Sequence, residues 1–361
     1  MIKVYEPKIT NEDIAYVTDT LKKGWLSGNT PIIKEFEEAL SNYLGVKYVS
    51  SCSSGTAALH LSLLGLGIGP GDEVIMPSLS YIATANAVSY VGAIPVFIDV
   101  DSSTWQMDPQ LIERKITKNT KAIMPVHLYG GVPDLVSIQK IAKENTLKIV
   151  HDSAEALGSK FDNKYSTNFK DVSILSFFPN KVITTGEGGA VCTNNKNLYE
   201  KIEKFKSQSL KGSVEYLHSD IGYNYRMSSM SASLGFPQIK RINDYVSKKR
   251  KLFEEYKSEL EPIGFEFQNF NSESESSYWL IATKVPKNIS RNNLKKHLFN
   301  NQVETRNVFI PLHLQPPYRH LLNSDSFKSS IDISKRGICL PSSPDLSKKE
   351  FKLVINTIKN Y

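Results

Sequence analysis

Between residue 46 and about residue 195, short runs rich in β-branched residues alternate with helical stretches, and this alternation constrains the fold more than any other feature. The runs predicted as strands are Lys47–Cys52, Glu73–Pro77, Ile94–Val100, Lys121–His127, Lys148–Asp152, Val172–Phe177 and Gly189–Thr193. Strands joined through helices pair in parallel, so a mostly parallel sheet flanked by helices is expected. Ahead of it a helix is predicted, with Thr30 as N-cap, Pro31 in the first turn, Ile33, Phe36, Leu40, Tyr43 and Leu44 on one face, and Gly45 as the stop. Beyond about residue 240 the pattern changes to a long charged helix, Tyr245–Leu260, and a polar segment, Asn271–Ser277, read as an exposed loop. The larger unit is therefore assigned residues 1–243 and a smaller α+β unit residues 244–361.

Composition removes several function classes. With 361 residues, 40% hydrophobic and 22% charged, the chain can bury two or three sizeable cores. No run approaches the roughly 18 apolar residues a membrane span needs, and the N-terminus turns charged before a signal-peptide core forms, so a cytoplasmic protein is expected. The net charge of +7 raises the question of a polyanionic partner. Its densest basic run, Lys248–Lys251, is followed at once by Glu254 and Glu255, as on a solvated helix, and no nucleic-acid partner is expected. Cys52, Cys192 and Cys339 are far apart and lack metal-ligand spacing, so neither zinc nor disulfides are expected.

In open α/β sheets ligands sit at the carboxyl ends of strands, and anions at helix N-termini. One such exit is Ser53-Ser54-Gly55-Thr56-Ala57, where free N–H groups and the Thr56 hydroxyl suit a phosphate, although a plain strand–turn–helix join reads the same way. A second is His151-Asp152-Ser153-Ala154-Glu155, in which Asp152 is either an acid needing a cationic partner or a helix N-cap with Glu155 completing a capping box. The third, Ser176 through Ala190, sets Lys181 between two buried-type strands with glycines that let the backbone fold tightly around it. A desolvated amine in such a place is what Schiff-base chemistry needs.

The Lys181 segment resembles the Schiff-base lysine motif of the DegT/DnrJ/EryC1/StrS sugar aminotransferases, and the resemblance extends along nearly the whole chain. It includes Gly24–Gly28, the SSGTAALHLSL stretch, Gly71–Pro77, Gly92–Asp99, Val126–Gly130, Asp152–Ser159, Gly222–Met227, Glu304–Arg306 and Pro311–His313. It implies a fold-type I aminotransferase, with a large domain built on a mixed, mostly parallel sheet and a small C-terminal α+β domain. The implied cofactor is pyridoxal 5′-phosphate: Lys181 carries it, Asp152 meets the pyridine nitrogen, Glu155 lies near the 3-hydroxyl and Tyr81 stacks on the ring. Gly55, Thr56 and Ser176 match phosphate ligands, and Asn224 matches a residue that reaches the phosphate from the partner subunit of a homodimer. Ser27 and Arg306 match substrate contacts, with an interdomain salt bridge as the alternative for Arg306, while core packing is the alternative for Tyr81. His127 and His313 are expected as hydrogen-bonded structural residues.

The same resemblance implies transfer from glutamate to C4 of a nucleotide-linked 4-keto-6-deoxy sugar, with GDP-4-keto-6-deoxymannose as the leading acceptor. The alternatives are a UDP- or dTDP-linked keto sugar, a C3 ketone, or a non-catalytic cofactor-binding regulator.

Overall fold

The structure is a computed structural model that describes residues 1–169, 171–210, 216–270, 272–321 and 326–361. Its strands are β1 (Tyr48–Cys52), β2 (Glu73–Pro77), β3 (Ile94–Ile98), β4 (Thr120–Ile123), β5 (Lys148–Asp152), β6 (Lys160–Phe161), β7 (Lys164–Tyr165), β8 (Val172–Ser176) and β9 (Gly189–Thr193). In the C-terminal part follow β10 (Glu266–Phe267), β11 (Ser274–Glu275), β12 (Ile281–Lys284), β13 (Arg306–Asn307) and β14 (Gly337–Leu340). The seven predicted runs all become strands, in one sheet ordered β1-β9-β8-β5-β4-β2-β3. Only β9 runs against its neighbours: it pairs antiparallel with both β8 and β1, while β3, β2, β4, β5 and β8 pair in parallel. Three strands end earlier than the sequence suggests. Beyond Ile123 only an isolated Val126–Asp152 bridge continues β4, because the chain there turns into the loop that ends at Tyr129, whose φ is positive.

Helix Pro31–Leu44 forms as expected, with Gly45 in the left-handed conformation at its end and Phe36, Leu40 and Leu44 buried. Thr30 does not cap it with its side chain; the hydroxyl is taken by the Ser229 hydroxyl at 2.5 Å. Helix Gly55–Leu66 lies buried along most of its length, which explains why its sequence is apolar all round rather than amphipathic.

Helix Ile242–Leu260 leads into a second sheet, antiparallel throughout and ordered β10-β12-β14-β13. Its core joins Leu252, Phe253 and Tyr256 of that helix to Ile281, Leu294, Ile338 and Val354. The first residues of the chain cross to this part: Ile2 bridges Val303, and Tyr5 packs beside Trp279 and Cys339. Two expectations are overturned here. Of the polar segment, Asn271 lies outside the described residues and Ser272 and Glu273 form an exposed turn as expected, but the rest is not an exposed loop: Ser274 and Glu275 pair with Phe161 and Lys160, and Ser276 and Ser277 are buried. The serine hydroxyls and backbone find partners, Ser277 N–H donating to Ser159 Oγ at 3.0 Å, so burial costs little. In the basic run, Lys248 does pair with Asp244 and Asp345, yet Lys249 is fully buried, because it shares a face with Tyr245, Val246, Leu252 and Tyr256. Among the described residues no helix is long and apolar enough to cross a membrane.

Candidate active site

The carboxyl ends of β1, β5 and β8 converge on a cavity of about 450 Å³ whose walls include Gly55, Thr56, Tyr81, Asp152, Glu155, Ser176, Lys181 and Arg306. Strand register explains part of this convergence. Gly189 is opposite both Cys52 and Ser176, so a side chain there would collide with the start of the Gly55–Leu66 helix: a Cβ at 189 would lie 2.4 Å from Ser54 O. Gly55 in turn lets that helix approach β8, since a Cβ at 55 would fall 3.0 Å from Ser176 Cβ. Ser54 Oγ accepts from Ala57 N at 3.1 Å and Ser54 O from Ala58 N, leaving the N–H groups of Gly55 and Thr56 outside the helical ladder and beside the Ser176 hydroxyl.

Asp152 closes β5. The N-cap alternative fails because no helix follows; the chain continues in turns through Ser159. Its Oδ2 instead accepts from Thr84 Oγ1 at 2.7 Å, Ser80 Oγ stands 2.7 Å from the same hydroxyl, and Oδ1 accepts from Ala154 N at 3.3 Å. Burial pushes the Asp152 carboxyl up from its ordinary range, against the Thr84 and Ala154 bonds and the nearby Lys181 amine. Glu155 Oε2 accepts from Tyr129 N at 2.8 Å, and Oε1 lies 3.8 Å from Lys181 Nζ. Burial raises Glu155 to about 7 in spite of that amine. Burial likewise lowers Lys181, opposed by Glu155 and Asp152, so the amine is a more available nucleophile than a surface lysine.

Lys181 sits on the β8–β9 connection. Two clamps hold that loop: Gln238 bonds both backbone groups of Thr184, and Thr184 Oγ1 and Thr185 N both donate to Phe177 O. Three residues without a recognisable sequence signal complete the surroundings of the amine. Trp279 places its ring centroid 3.7 Å from Nζ and donates from Nε1 to Asn180 O at 2.6 Å. Tyr5 donates from its hydroxyl to Lys181 O at 2.7 Å. Thr84 fixes Asp152, although it lies within the SYIAT run.

Tyr81 is not packed in a core: it is 57% exposed on the cavity wall, with its ring 5.7 Å from that of Phe309. Arg306 lines the cavity, and among the described residues its one ion pair is with Glu304 of its own segment at 4.0 Å, not one between domains. Ser27 and Asn224 are exposed and do not line this cavity; Asn224 is bridged to Ser207. His127 Nε2 and His151 Nδ1 are 3.2 Å apart, and His313 Nδ1 meets Ser78 Oγ at 2.5 Å, so neither His127 nor His313 reaches the cavity.

These residues fit a phosphorylated aromatic aldehyde. The N–H groups and hydroxyls beside Gly55 form an anion cradle that a Cβ would crowd, a buried acid stands at the base and an aromatic ring at the wall. The Asn180 Oδ1 atom in the lining is buried and has no protein partner.

Comparison with known proteins agrees with this chemistry. The profile of the DegT/DnrJ/EryC1/StrS aminotransferase family matches residues 7–359. The chain is 41% identical over 360 residues to the GDP-perosamine synthase of Escherichia coli O157:H7, covering 100% of this chain and 98% of that protein. It is 38% identical to the GDP-perosamine synthase of Vibrio cholerae, covering 100% and 99%. Among solved structures, Streptococcus pneumoniae Spr1654 in its PMP form superposes with a TM-score of 0.94 at 30% identity, over 99% of this chain and 96% of that one, and the same protein is also known in a PLP form. The chain therefore belongs to the DegT/DnrJ/EryC1/StrS aminotransferase family and is a pyridoxal-phosphate-dependent transferase.

Proposed function

We propose that this enzyme makes GDP-perosamine, transferring the amino group of glutamate to C4 of GDP-4-keto-6-deoxymannose for surface-polysaccharide synthesis in the cytoplasm. The observation that supports it most is full-length 41% identity to a GDP-perosamine synthase in a chain whose cavity holds a buried lysine between a carboxylate and an indole.

Pyridoxal phosphate, when bound, supplies an electron sink for the carbanion character that develops as the donor loses its α-proton. The chain's residues supply the rest. Gly55, Thr56 and Ser176 take the phosphate, Tyr81 covers the ring, and Asp152, oriented by Thr84, faces the ring nitrogen. Glu155 faces the 3-hydroxyl. Lys181 would hold the cofactor, and its amine when free would serve as the acid and base that moves the proton at the substrate carbon. Burial lowers its basicity and so favours the unprotonated amine that this role needs. Arg306 contacts the sugar nucleotide from the cavity wall, and Ser27, which lies off its own chain's cavity, does so across the homodimer. Asn224 is exposed and lies off its own chain's cavity, and this supports a homodimer in which it reaches the partner's phosphate site. Residues 1–243 and 244–361 make the large and small domains.

The test is single-turnover conversion of the pyridoxamine form with GDP-, UDP- and dTDP-linked 4-keto-6-deoxy sugars, with products read by mass and NMR. Selective amination of the GDP-mannose derivative at C4 is expected. Preference for a UDP or dTDP sugar, or amination at C3, overturns the acceptor. A cofactor absorbance band that glutamate leaves unchanged overturns catalysis itself.

A further inference from the structure

Lys249 is the most conspicuous titratable group that this chemistry does not use. It is 0% exposed, and among the described residues no carboxylate pairs with it. A buried ammonium without a counter-charge costs several kcal/mol unless its hydrogens are well used. Here they are used on a particular set of groups: Nζ donates to Trp279 O at 3.0 Å and to Ser342 O at 2.7 Å, and lies 4.7 Å from the ring centroid of Tyr5.

Two of those three partners touch the active-site lysine directly. Tyr5 donates its hydroxyl to the carbonyl of Lys181, and Trp279 donates its indole N–H to the carbonyl of the preceding residue, Asn180. The same indole presents its face to Lys181 Nζ. Tyr5 comes from the N-terminal segment, Trp279 from the approach to β12, and Lys249 from the helix between the two sheets. Three remote parts of the chain thus meet at one ammonium, and two of them grip adjacent peptide carbonyls in the catalytic loop. For packing the helix against the C-terminal sheet alone, an apolar side chain of similar volume would serve as well or better.

We propose that Lys249 is a positioning residue: through Tyr5 and Trp279 it fixes the Asn180–Lys181 backbone and the indole face against which the Lys181 amine rests whenever it is not bonded to the cofactor. This rests on the reading of Lys181 as the cofactor lysine. Lys249 itself does not line the cavity. Its effect is therefore on the rate of steps that need the amine in place, not on the affinity for glutamate.

The experiment compares wild type, Lys249→Met, Tyr5→Phe and the double variant as holoenzymes. Borohydride reduction followed by peptide mapping first establishes that Lys181 carries the cofactor; label on a different lysine overturns the functional reading and not merely this extension. Two quantities are then read: the rate and KM of the glutamate half-reaction from the cofactor band, and acetylation of Lys181 relative to surface lysines in the pyridoxamine form, where its amine is free. The expectation for Lys249→Met is a rate lower by about tenfold with KM within about twofold, and Lys181 acetylation faster by about threefold or more. Tyr5→Phe, which deletes a single hydroxyl, shifts both in the same direction by less and carries the test if Lys249→Met does not fold. The double variant is less than additive, because part of the Lys249 effect is exerted through Tyr5. Urea stability is measured alongside. Stability loss with unchanged rate and unchanged Lys181 acetylation, or strictly additive effects on rate, overturns the proposal and leaves Lys249 as a tie between helix and sheet.

Discussion

Gly55→Ala separates the stability of this protein from its hold on the cofactor. Gly55 has no positive φ, so alanine meets no backbone strain, and within a helix it is favoured over glycine by roughly 0.5–1 kcal/mol. Its Cβ would, however, lie 3.0 Å from Ser176 Cβ and 3.3 Å from Ser176 Oγ, where carbon atoms prefer about 3.5–4.0 Å. The helix start and the end of β8 must then part by about half an ångström, at a cost of about 1 kcal/mol, the low end for overpacking. The two terms nearly cancel, and the thermal midpoint of the cofactor-free protein should move by only a few degrees. The phosphate cradle does not escape so lightly, because its donors sit on both sides of the contact being widened. Loss of one hydrogen bond to a charged group is worth about 1.5–3 kcal/mol, which corresponds to roughly 10- to 100-fold weaker binding. The assay is titration with pyridoxamine phosphate, which forms no covalent bond to Lys181 and, with the ring contacts unchanged by the substitution, reports the change in the cradle. Affinity within twofold of wild type in a normally folded Gly55→Ala protein refutes the placement of the phosphate between Gly55 and Ser176.

Other substitutions probe the remaining groups. Lys181→Ala should fold normally, lack the cofactor absorbance band of the bonded lysine, and turn over about 10²–10⁴-fold more slowly or worse; turnover near wild type would remove Lys181 from the mechanism. Trp279→Phe leaves the half-buried Asn180 carbonyl without its 2.6 Å donor and should lower stability by about 0.5–1.5 kcal/mol in urea unfolding. Glu155 predicts a pH dependence of the cofactor-free protein. Its carboxyl rises from 4.5 to about 7 on folding because of burial, so between those values the folded state binds more protons than the unfolded state and stability falls as pH rises. The contribution is fully present below about 4.5 and lost through about 7; Glu155→Gln should flatten the fall, measured as thermal midpoints from pH 5 to 7. Lys181, lowered on folding by burial, acts in the opposite sense, adding stability as pH rises.

The parallel sheet was legible because strand runs buried on both faces leave a sequence record every 20 to 30 residues, and the strand exits carry the polar residues that chemistry needs. Lys181, Asp152 and Gly55 could be named from such exits because each stands in a short run where a β-branched strand stops at polar residues or glycine. What distinguishes Asp152 the site residue from Asp152 the helix cap is less local. The choice turns on Thr84, 68 positions away, and on whether the chain after residue 152 coils or turns. The exposed loop expected over Asn271–Ser277 fails at Ser274–Ser277 for a related reason. Polar composition predicts exposure only when no distant partner supplies hydrogen bonds, and here Ser159 and the short strand at Lys160–Phe161 supply them.

The basic run at Lys248–Lys251 shows how far this reasoning extends and where it stops. Charge composition reads the run as solvated, and for Lys248, paired with Asp244 one turn earlier, that is correct. Periodicity carries a finer signal: Lys249 falls four residues after Tyr245, three before Leu252 and seven before Tyr256, which places it on the buried stripe of the same helix. Helical spacing therefore distinguishes the inward lysine from its neighbours within a single four-residue run. It does not say what an inward lysine does. That depends on the carbonyls of Trp279 and Ser342 and the ring of Tyr5, brought together from positions 5, 279 and 342 by the meeting of two sheets. Residues that act on the chemistry directly are announced by local motifs, whereas those that hold the motif in place are recruited from wherever the fold passes, and only packing reveals them.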